Sequence, residues 1–251
     1  MPAEILLLGG ALVVVLLALG VPIFLVLTAT AAGFLLADGK SVAGIAQHVL
    51  DHLNSPALVS VPFFLLAAVL MRGGGVAKAL FDAAITWIGW LPGGLALAGI
   101  AATALFAAIN GSSVATALAM GSLLVPMMIE KGYKPGFAMG LTAAAATLGI
   151  LIPPSLPMIL IGLIAEVSIP RLFLAGVIPG LLQALLFAGY VLLMARRVGG
   201  APMPLASREV FLRSNLRALP ALLIPLVILG GLYGGFVTLT EAAVLGAVVS
   251  L

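Results

Sequence analysis

The chain has 251 residues, 63% of them hydrophobic and 8% charged, with a net charge of +3 and no cysteine. A soluble domain carries about a quarter charged residues, so a chain this poor in charge, with a mean hydropathy of +1.33, cannot cover a water-facing surface and reads as an integral membrane protein. The absence of cysteine excludes a disulfide framework, a thiolate metal site and a Cys nucleophile. The basic residues sit in short loops between apolar runs, where they report membrane orientation and not a nucleic-acid surface.

Runs such as Ile5 to Leu36, Leu172 to Met194 and Leu219 to Leu232 approach or exceed the ~20 apolar residues that cross ~30 Å of hydrocarbon as a helix. The alternation over ~10-residue segments that marks a membrane barrel is missing. The fold class is therefore an all-α polytopic membrane protein. The start, Met1-Pro2-Ala3-Glu4, has no basic n-region, and the apolar run behind it is too long for a signal peptide despite Ala29-Thr30-Ala31. It reads as retained helix. That first run is interrupted at Gly20-Val21-Pro22, giving one kinked helix or two short ones.

Asp38 to Ser55 is polar and is expected outside the hydrocarbon, while Pro56 to Met71 crosses and ends at Arg72-Gly73-Gly74-Gly75. Val76 to Trp90, with Lys78 and Asp82 one turn apart and Trp87 and Trp90 near its end, suits an interfacial, non-spanning helix. Two short apolar arms follow, Pro92 to Ile109 and Val114 to Ile129, around an uncharged turn, Asn110-Gly111-Ser112-Ser113. Phe137 to Ala165 is ~44 Å long as one helix at ~1.5 Å per residue, more than the core requires, and Pro153-Pro154 divides it. Leu172 to Met194 crosses again. The linker from Ala195 to Leu219 then holds Arg196, Arg197, Arg208, Arg213 and Arg217 against Glu209, which makes it cytoplasmic by the positive-inside tendency.

Counting back from that linker puts Arg72, Lys78, Lys131 and Lys134 inside and Asp38, Lys40 and Asp51 outside. The chain also starts over. Leu219 to Leu251 reads as an apolar helix, a Gly-rich break at Gly230-Gly231 and Gly234-Gly235, and a Thr-bearing apolar helix, an echo of Ile5 to Leu36 of the kind that internal repeats of transporters show. The organisation expected is residues 1–195 as a first repeat, with a hairpin about 92–129 and a broken helix about 137–165. A linker over 196–218 and the start of a second repeat over 219–251 follow.

The turn at Asn110 to Ser113 and the break at Ile152-Pro153-Pro154-Ser155 carry the function. A bilayer core cannot hydrate a freed amide or carbonyl, so broken backbone at that depth must be buried in protein or line a polar cavity. Interfacial turns recruit Lys, Asp or Glu, and this one has none, which favours re-entry over an ordinary turn. Carbonyls and Ser hydroxyls at such a tip are hard oxygen ligands for a small cation, and helix N-termini facing the same point attract a carboxylate. His48 and His52, one turn apart around Asp51, lack a third metal ligand and read as the polar face of a loop helix. Gly111-Ser112-Ser113 lacks the second glycine and the histidine of a nucleophile elbow. Glu166 marks a helix end, Glu241 stands beside an apolar segment where an ionisable group is a functional candidate, and the Gly132, Gly136, Gly140 spacing and the Gly176, Gly180 pair read as close helix packing.

In these residues the chain resembles the large membrane subunit of TRAP transporters, the tripartite ATP-independent periplasmic transporters, often called DctM-like. The likeness runs over essentially the whole chain: Gly20-Val21-Pro22, Val61-Pro62-Phe63-Phe64-Leu65-Leu66-Ala67, Gly93-Gly94-Leu95, Asn110-Gly111-Ser112-Ser113-Val114-Ala115, Lys131-Gly132-Tyr133, Leu148 to Ser155, Gly176-Val177-Ile178-Pro179-Gly180 and Thr238-Leu239-Thr240-Glu241-Ala242-Ala243. The resemblance implies a sodium-driven importer of organic acid anions such as dicarboxylates or sugar acids. It implies an elevator movement, multi-pass residence in the cytoplasmic (inner) membrane, a small membrane subunit and a periplasmic solute-binding protein as partners, and no enzyme activity. The sodium site it implies is shared by Asn110, Gly111, Ser112, Ser113, Pro153, Pro154 and Ser155. Family subunits have a second hairpin and a second broken helix after the Thr-x-x-Glu-Ala-Ala segment, so the native chain is expected to continue beyond Leu251. The rivals are an ion-coupled transporter without a binding protein and an intramembrane lipid-modifying enzyme. The enzyme needs acid and base groups gathered at one depth, whereas the acidic residues and histidines here are dispersed to segment ends.

The orientation predicts that cysteines placed at positions 48 and 208 are labelled by an impermeant maleimide from opposite sides of sealed vesicles. Labelling of both from one side overturns the segmentation.

Overall fold

A computed structural model describes residues 3–200 and 202–250, and the side chains of His48, His52, Arg72 and Arg196 lie outside the described set. Two units are described separately, Met1–Ser55 and Pro56–Leu251. In the first, the break at Gly20-Val21-Pro22 yields two short helices and not a single kinked one. Helix α1 (Ala3–Ala18) stops before it, and α2 (Ile23–Ala37) starts on Pro22, whose ring cannot donate to a preceding turn. Thr28 and Thr30 each donate their hydroxyl to the carbonyl four residues back at 2.7 Å, which removes a free polar group from an apolar helix. The polar stretch after α2 is also helical, as α3 (Ala43–Leu53).

The second unit begins with α4 (Pro56–Gly73) and α5 (Val76–Ile88). Helix α6 (Gly94–Asn110) is almost wholly buried and rich in alanine and glycine, so α5, α7 (Ser113–Glu130) and α8 (Pro135–Ala146) all pack against it. Helix α9 (Leu148–Leu151) prolongs α8. After Pro153-Pro154, joined by a cis peptide, α10 (Leu156–Ile164) leaves at an angle of 41°. A 30-residue helix, α11 (Ile169–Val198), then runs back along the broken helix, with Gly176 and Gly180 against Leu151 and Ile152. Helices α12 (Arg208–Tyr233) and α13 (Leu239–Val249) complete the unit, α12 on α5 and α13 on α4. Among the described residues, three helices are long and apolar enough to cross a membrane, Ser113–Glu130, Ile169–Ala195 and Arg208–Tyr233, or up to five if each of two bent pairs is one crossing.

The structure redraws several boundaries. Helix α5 is short, as expected of a non-spanning helix, with Lys78 Nζ 2.6 Å from the Asp82 carboxylate, but its apolar face is not turned to lipid. Leu80, Phe81, Ala83 and Ala84 are buried against α6 and α12. Trp87 donates its indole N–H to Asn215 Oδ1 at 2.9 Å, and Asn215 in turn donates to Phe211 O at 2.8 Å and lies 3.5 Å from Thr86 Oγ1. The expected linker is mostly helix. Arg197 belongs to the end of α11, and α12 starts at Arg208 on a Ser207 cap whose hydroxyl accepts from Val210 N, so the connection narrows to residues 199–207. Gly230-Gly231 lies inside α12, and the chain leaves the helix only at Gly234-Gly235, because glycine is tolerated within membrane helices and ends one where φ turns positive, +70° at Gly235. Glu166 does end α10, exposed and with a φ of 52°. Glu241 closes a capping box on α13, accepting from Thr238 N at 2.7 Å while the Thr238 hydroxyl accepts from Glu241 N, which gives this carboxylate a structural role.

Asn215 is the one polar side chain that ties α12 to both Thr86 and Trp87. Asn215→Ala leaves a half-buried indole N–H without its acceptor, and a loss of about 1–3 kcal/mol is expected in unfolding of the detergent-solubilised protein. An unchanged midpoint shows that this network does not hold α12 to α5.

A candidate ion site where a hairpin tip meets a broken helix

The tip and the break were two separate features in the sequence, forty residues apart. Helix lengths bring them together. From the turn at Lys131–Lys134, α7 runs back 18 residues to Ser113, while Pro135–Leu151 runs forward 17 residues to the break. Two antiparallel rods of ~26 Å that leave one turn end at one height. Helix α10 adds only 9 residues, ~14 Å, before the Glu166 turn, so the meeting point lies well inside the span of the broken helix.

Contact between the two is backbone on backbone. Leu156 N donates to Gly111 O at 3.3 Å, bonding the first residue of α10 to the hairpin turn. Gly111 is fixed there by two demands: its φ is +59°, and a Cβ on it would lie 2.3 Å from Pro154 O. Gly149 approaches from the other side, where a Cβ would fall 2.9 Å from both Ser112 C and Ser113 N. Asn110, Gly111, Pro153, Pro154 and Ser155 are all buried, and Ser112 and Ser113 are half-buried. The structure thus gathers all seven residues named from the sequence.

Their hydrogen bonds sort them into two groups. Asn110 builds the turn: its Oδ1 accepts from Ser112 N at 2.8 Å, and its Nδ2 donates to Thr116 Oγ1 at 3.0 Å and to Phe106 O at 3.3 Å. The Thr116 hydroxyl donates onward to Ser112 O at 2.7 Å, which closes a ring of bonds around the tip. Ser112 also caps α7, its Oγ accepting from Ala115 N at 3.4 Å. Ser155 is different. It is fully buried, and its Oγ has no hydrogen-bond partner. A buried hydroxyl without a partner costs about 1–3 kcal/mol, and it stands directly behind the Pro154 carbonyl that meets the tip.

Thr116 and Gly149 belong to the site and were not singled out in the sequence. Thr116 had a readable signal, a threonine four residues after a capping serine, where its hydroxyl reaches the Ser112 carbonyl. Gly149 had none, since only the fold shows that its missing side chain faces the tip.

The segments that form the junction carry no charge. From Ala83 to Ile129 and from Pro135 to Ala165 the sequence has no acidic, basic or histidine side chain. The C-terminal ends of α6 and α9 and the N-terminal ends of α7 and α10 converge on the junction. Carbonyl ends carry partial negative charge and favour a cation, while amide ends carry partial positive charge and favour an anion. A point where both meet can hold a small cation beside a carboxylate, which is how discontinuous helices of secondary transporters work.

Two uncharged backbone breaks joined in the interior of a polytopic helical protein are an arrangement that transporters with discontinuous helices use. Residues 11–251 match the family described as the tripartite ATP-independent periplasmic transporter, DctM component, and the chain belongs to that family, which is one of transporters and not of enzymes. It is 41% identical over 241 residues to the C4-dicarboxylate TRAP transporter large permease protein DctM of Vibrio cholerae, covering 95% of this chain and 53% of that protein. It is 39% identical over 233 residues to the isethionate TRAP transporter permease protein DctMQ of Oleidesulfovibrio alaskensis, covering 92% of this chain and 37% of that protein. Identity to the sialic acid TRAP transporter large permease protein SiaM of Vibrio cholerae is 35% over 237 residues, covering 94% of this chain and 56% of that protein. The chain spans about half the length of the large permease relatives it matches.

Because Gly111 is held by both its φ and its contact with Pro154 O, Gly111→Ala is expected to part the tip from the break. A single cysteine at Ser155, fully shielded in the parent, then becomes reactive to a small maleimide. Unchanged protection of that cysteine in the Gly111→Ala protein refutes the junction.

Proposed function

We propose that this chain is part of the large permease subunit of a sodium-driven, ATP-independent importer of organic acid anions, resident in the cytoplasmic membrane of a bacterium or archaeon. The reading rests on one observation, the seating of the Gly111 turn on Pro154 with the Ser155 hydroxyl buried behind it and without a partner. A hard cation takes oxygen ligands, and an orphaned hydroxyl among peptide carbonyls supplies them without the desolvation cost of a buried carboxylate. In this reading Ser155 Oγ, Ser112 and Ser113 oxygens and the carbonyls of Pro153 and Pro154 face the sodium ion, while Asn110 and Gly111 shape the tip.

Ion coupling also follows from the electrical work. Moving an anion into an inside-negative compartment costs ~2.3 kcal/mol per charge per 100 mV, so sodium charges must outnumber substrate charges for the potential to assist. The substrate's carboxylate is assigned to the amide ends of α7 and α10, which present donors beside the ion. Relatives are named for C4-dicarboxylate, isethionate, sialic acid and ectoine, each carrying an acid group, which supports an organic acid as substrate class. A small membrane subunit and a periplasmic solute-binding protein complete the proposed assembly, and the body formed by the hairpin and broken helix is the part that moves in an elevator step. Residues 1–195 form one repeat in this scheme. The pair α12 and α13 opens another, since both it and the pair α1 and α2 are apolar helices parted by a short non-helical break.

In proteoliposomes holding the assembled transporter, Ser155→Ala is expected to raise the sodium concentration for half-maximal uptake roughly fivefold or more, the size of one lost polar contact. Ser112→Ala and Ser113→Ala shift it in the same direction. Wild-type sodium dependence in all three folded variants shows that the ion binds elsewhere.

A further inference from the structure

Between α8 and α11 runs a groove of about 430 Å³ that the transport reading leaves unused. Its floor is Gly136, Gly140 and Ala144 on α8, and its wall is Leu186, Phe187 and Tyr190 on α11. The Gly136 and Gly140 spacing promised a packed helix, yet nothing lies within 4 Å of where a Cβ would stand on either residue. Small residues here leave a channel and not a helix seam. About one turn beyond Ala144 and Leu186, Gln183 Nε2 donates to Thr147 Oγ1 at 3.0 Å, which ties α11 to the start of α9. At its outer end Tyr133, Phe137 and Tyr190 form a row of stacked rings, with centroids 6.1 and 6.3 Å apart.

Charge gathers at that outer end. Lys134 caps α8 one residue before Pro135, Lys131 stands in the same turn, and Arg197 lies two turns beyond Tyr190 on the same face of α11. All three are exposed, and among the described residues none lies within ion-pair distance of a carboxylate, although Glu130 adjoins Lys131. Aromatic residues favour the headgroup level of a membrane, and basic residues at the mouth of an interhelical cleft attract anionic headgroups.

We propose that this groove holds one acyl chain of an anionic phospholipid, with the headgroup on Lys134 and Arg197 and the chain along Gly136, Gly140 and Ala144. An apolar helix is the wrong occupant on electrostatic grounds. The Phe137–Tyr190 stack, with centroids 6.3 Å apart, bridges the two walls of the groove. The exposed cations at its mouth would meet no partner on an apolar helix, whereas an anionic headgroup pairs with them while its hydrocarbon chain covers the apolar lining. The lipid fills the space beside the broken helix and so steadies α8 against α11.

The test uses the protein at its native length, reconstituted in nanodiscs of equal phosphatidylglycerol and phosphatidylcholine, then released and weighed by native mass spectrometry. The wild type is expected to retain one phosphatidylglycerol in preference to phosphatidylcholine by roughly tenfold or more, as two or three basic residues near a headgroup provide. Lys134→Glu with Arg197→Glu, both on the surface and outside the groove, removes the preference. Gly140→Leu fills the channel and removes the retained lipid altogether. Equal retention of the two lipids by the wild type, or unchanged retention in the double variant, overturns the proposal. So does an efficient protein–protein crosslink from a cysteine at position 140, which assigns the groove to a polypeptide.

Discussion

Every break in a membrane helix frees amides and carbonyls that lipid cannot hydrate, and each free group costs several kcal/mol unless protein supplies a partner. The arrangement of the larger unit follows from that constraint. A turn at Gly111 and a break at Pro153-Pro154 are each unstable alone at depth, and each is the other's partner. The Gly111 carbonyl takes the Leu156 amide, and the Pro154 carbonyl presses where Gly111 has no side chain. Proline contributes by having no amide to satisfy at the two positions where the helix is interrupted. The same economy appears on the hydroxyls. Thr103, Thr116 and Thr142 all return their protons to carbonyls four residues back, so these three buried hydroxyls add no unsatisfied groups, in contrast to Ser155.

The pairing is possible because of rod lengths and one thin helix. Helices α7 and α8–α9 are matched to within a residue, so tip and break arrive at the same level from the Lys131 turn. Helix α6, built from alanine and glycine over most of its length, lets α5, α7 and α8 crowd round it, and α11 closes the outside of the break through Gly176 and Gly180. Remove the small residues and the surrounding helices move outward, which separates a junction whose contacts are all backbone. Gly199 and Gly200 after α11 then rest on Gly132 and the Tyr133 ring, tying the turn that starts both rods to the far end of α11. Burial there pushes the Tyr133 phenol above its usual pKa.

The fold class, the two breaks and seven residues of the candidate site were legible in the sequence because they are exceptions to an apolar background, while Thr116 and Gly149 were not singled out. Proline, glycine and serine without charge stand out where lipid would forbid them. What the sequence hid was anything decided by a neighbour. The apolar face of α5 looked interfacial, since an amphipathic helix reads the same whether it lies on lipid or on protein, and only the fold shows Phe81 and Ala84 buried beside α12. The arginine-rich stretch read as a linker because arginine reports charge and not conformation, although Ser207 followed by Glu209 already marked a helix start. Two glycine spacings looked alike, and one of them, at Gly176, packs while the other, at Gly136, lies open.

An uncharged site suits a transporter for a reason that the hydrogen bonds make concrete. A carboxylate buried at this depth would bind a cation tightly but would be stranded, at a cost of several kcal/mol, each time the ion left. Peptide carbonyls and hydroxyls hold the ion less strongly and tolerate its departure, because their unmet demand is that of neutral groups. The junction divides this labour between residues. Asn110 and Thr116 spend their hydrogen-bonding capacity on one another and on Ser112, so the tip keeps its shape whether or not an ion is present. Ser155 keeps its oxygen free, across the contact, at the start of α10 where the broken helix bends by 41°. In the proposed reading, a tip braced by its own bonds and facing an oxygen left free is a site that an ion enters and leaves without breaking the hydrogen bonds that hold the tip.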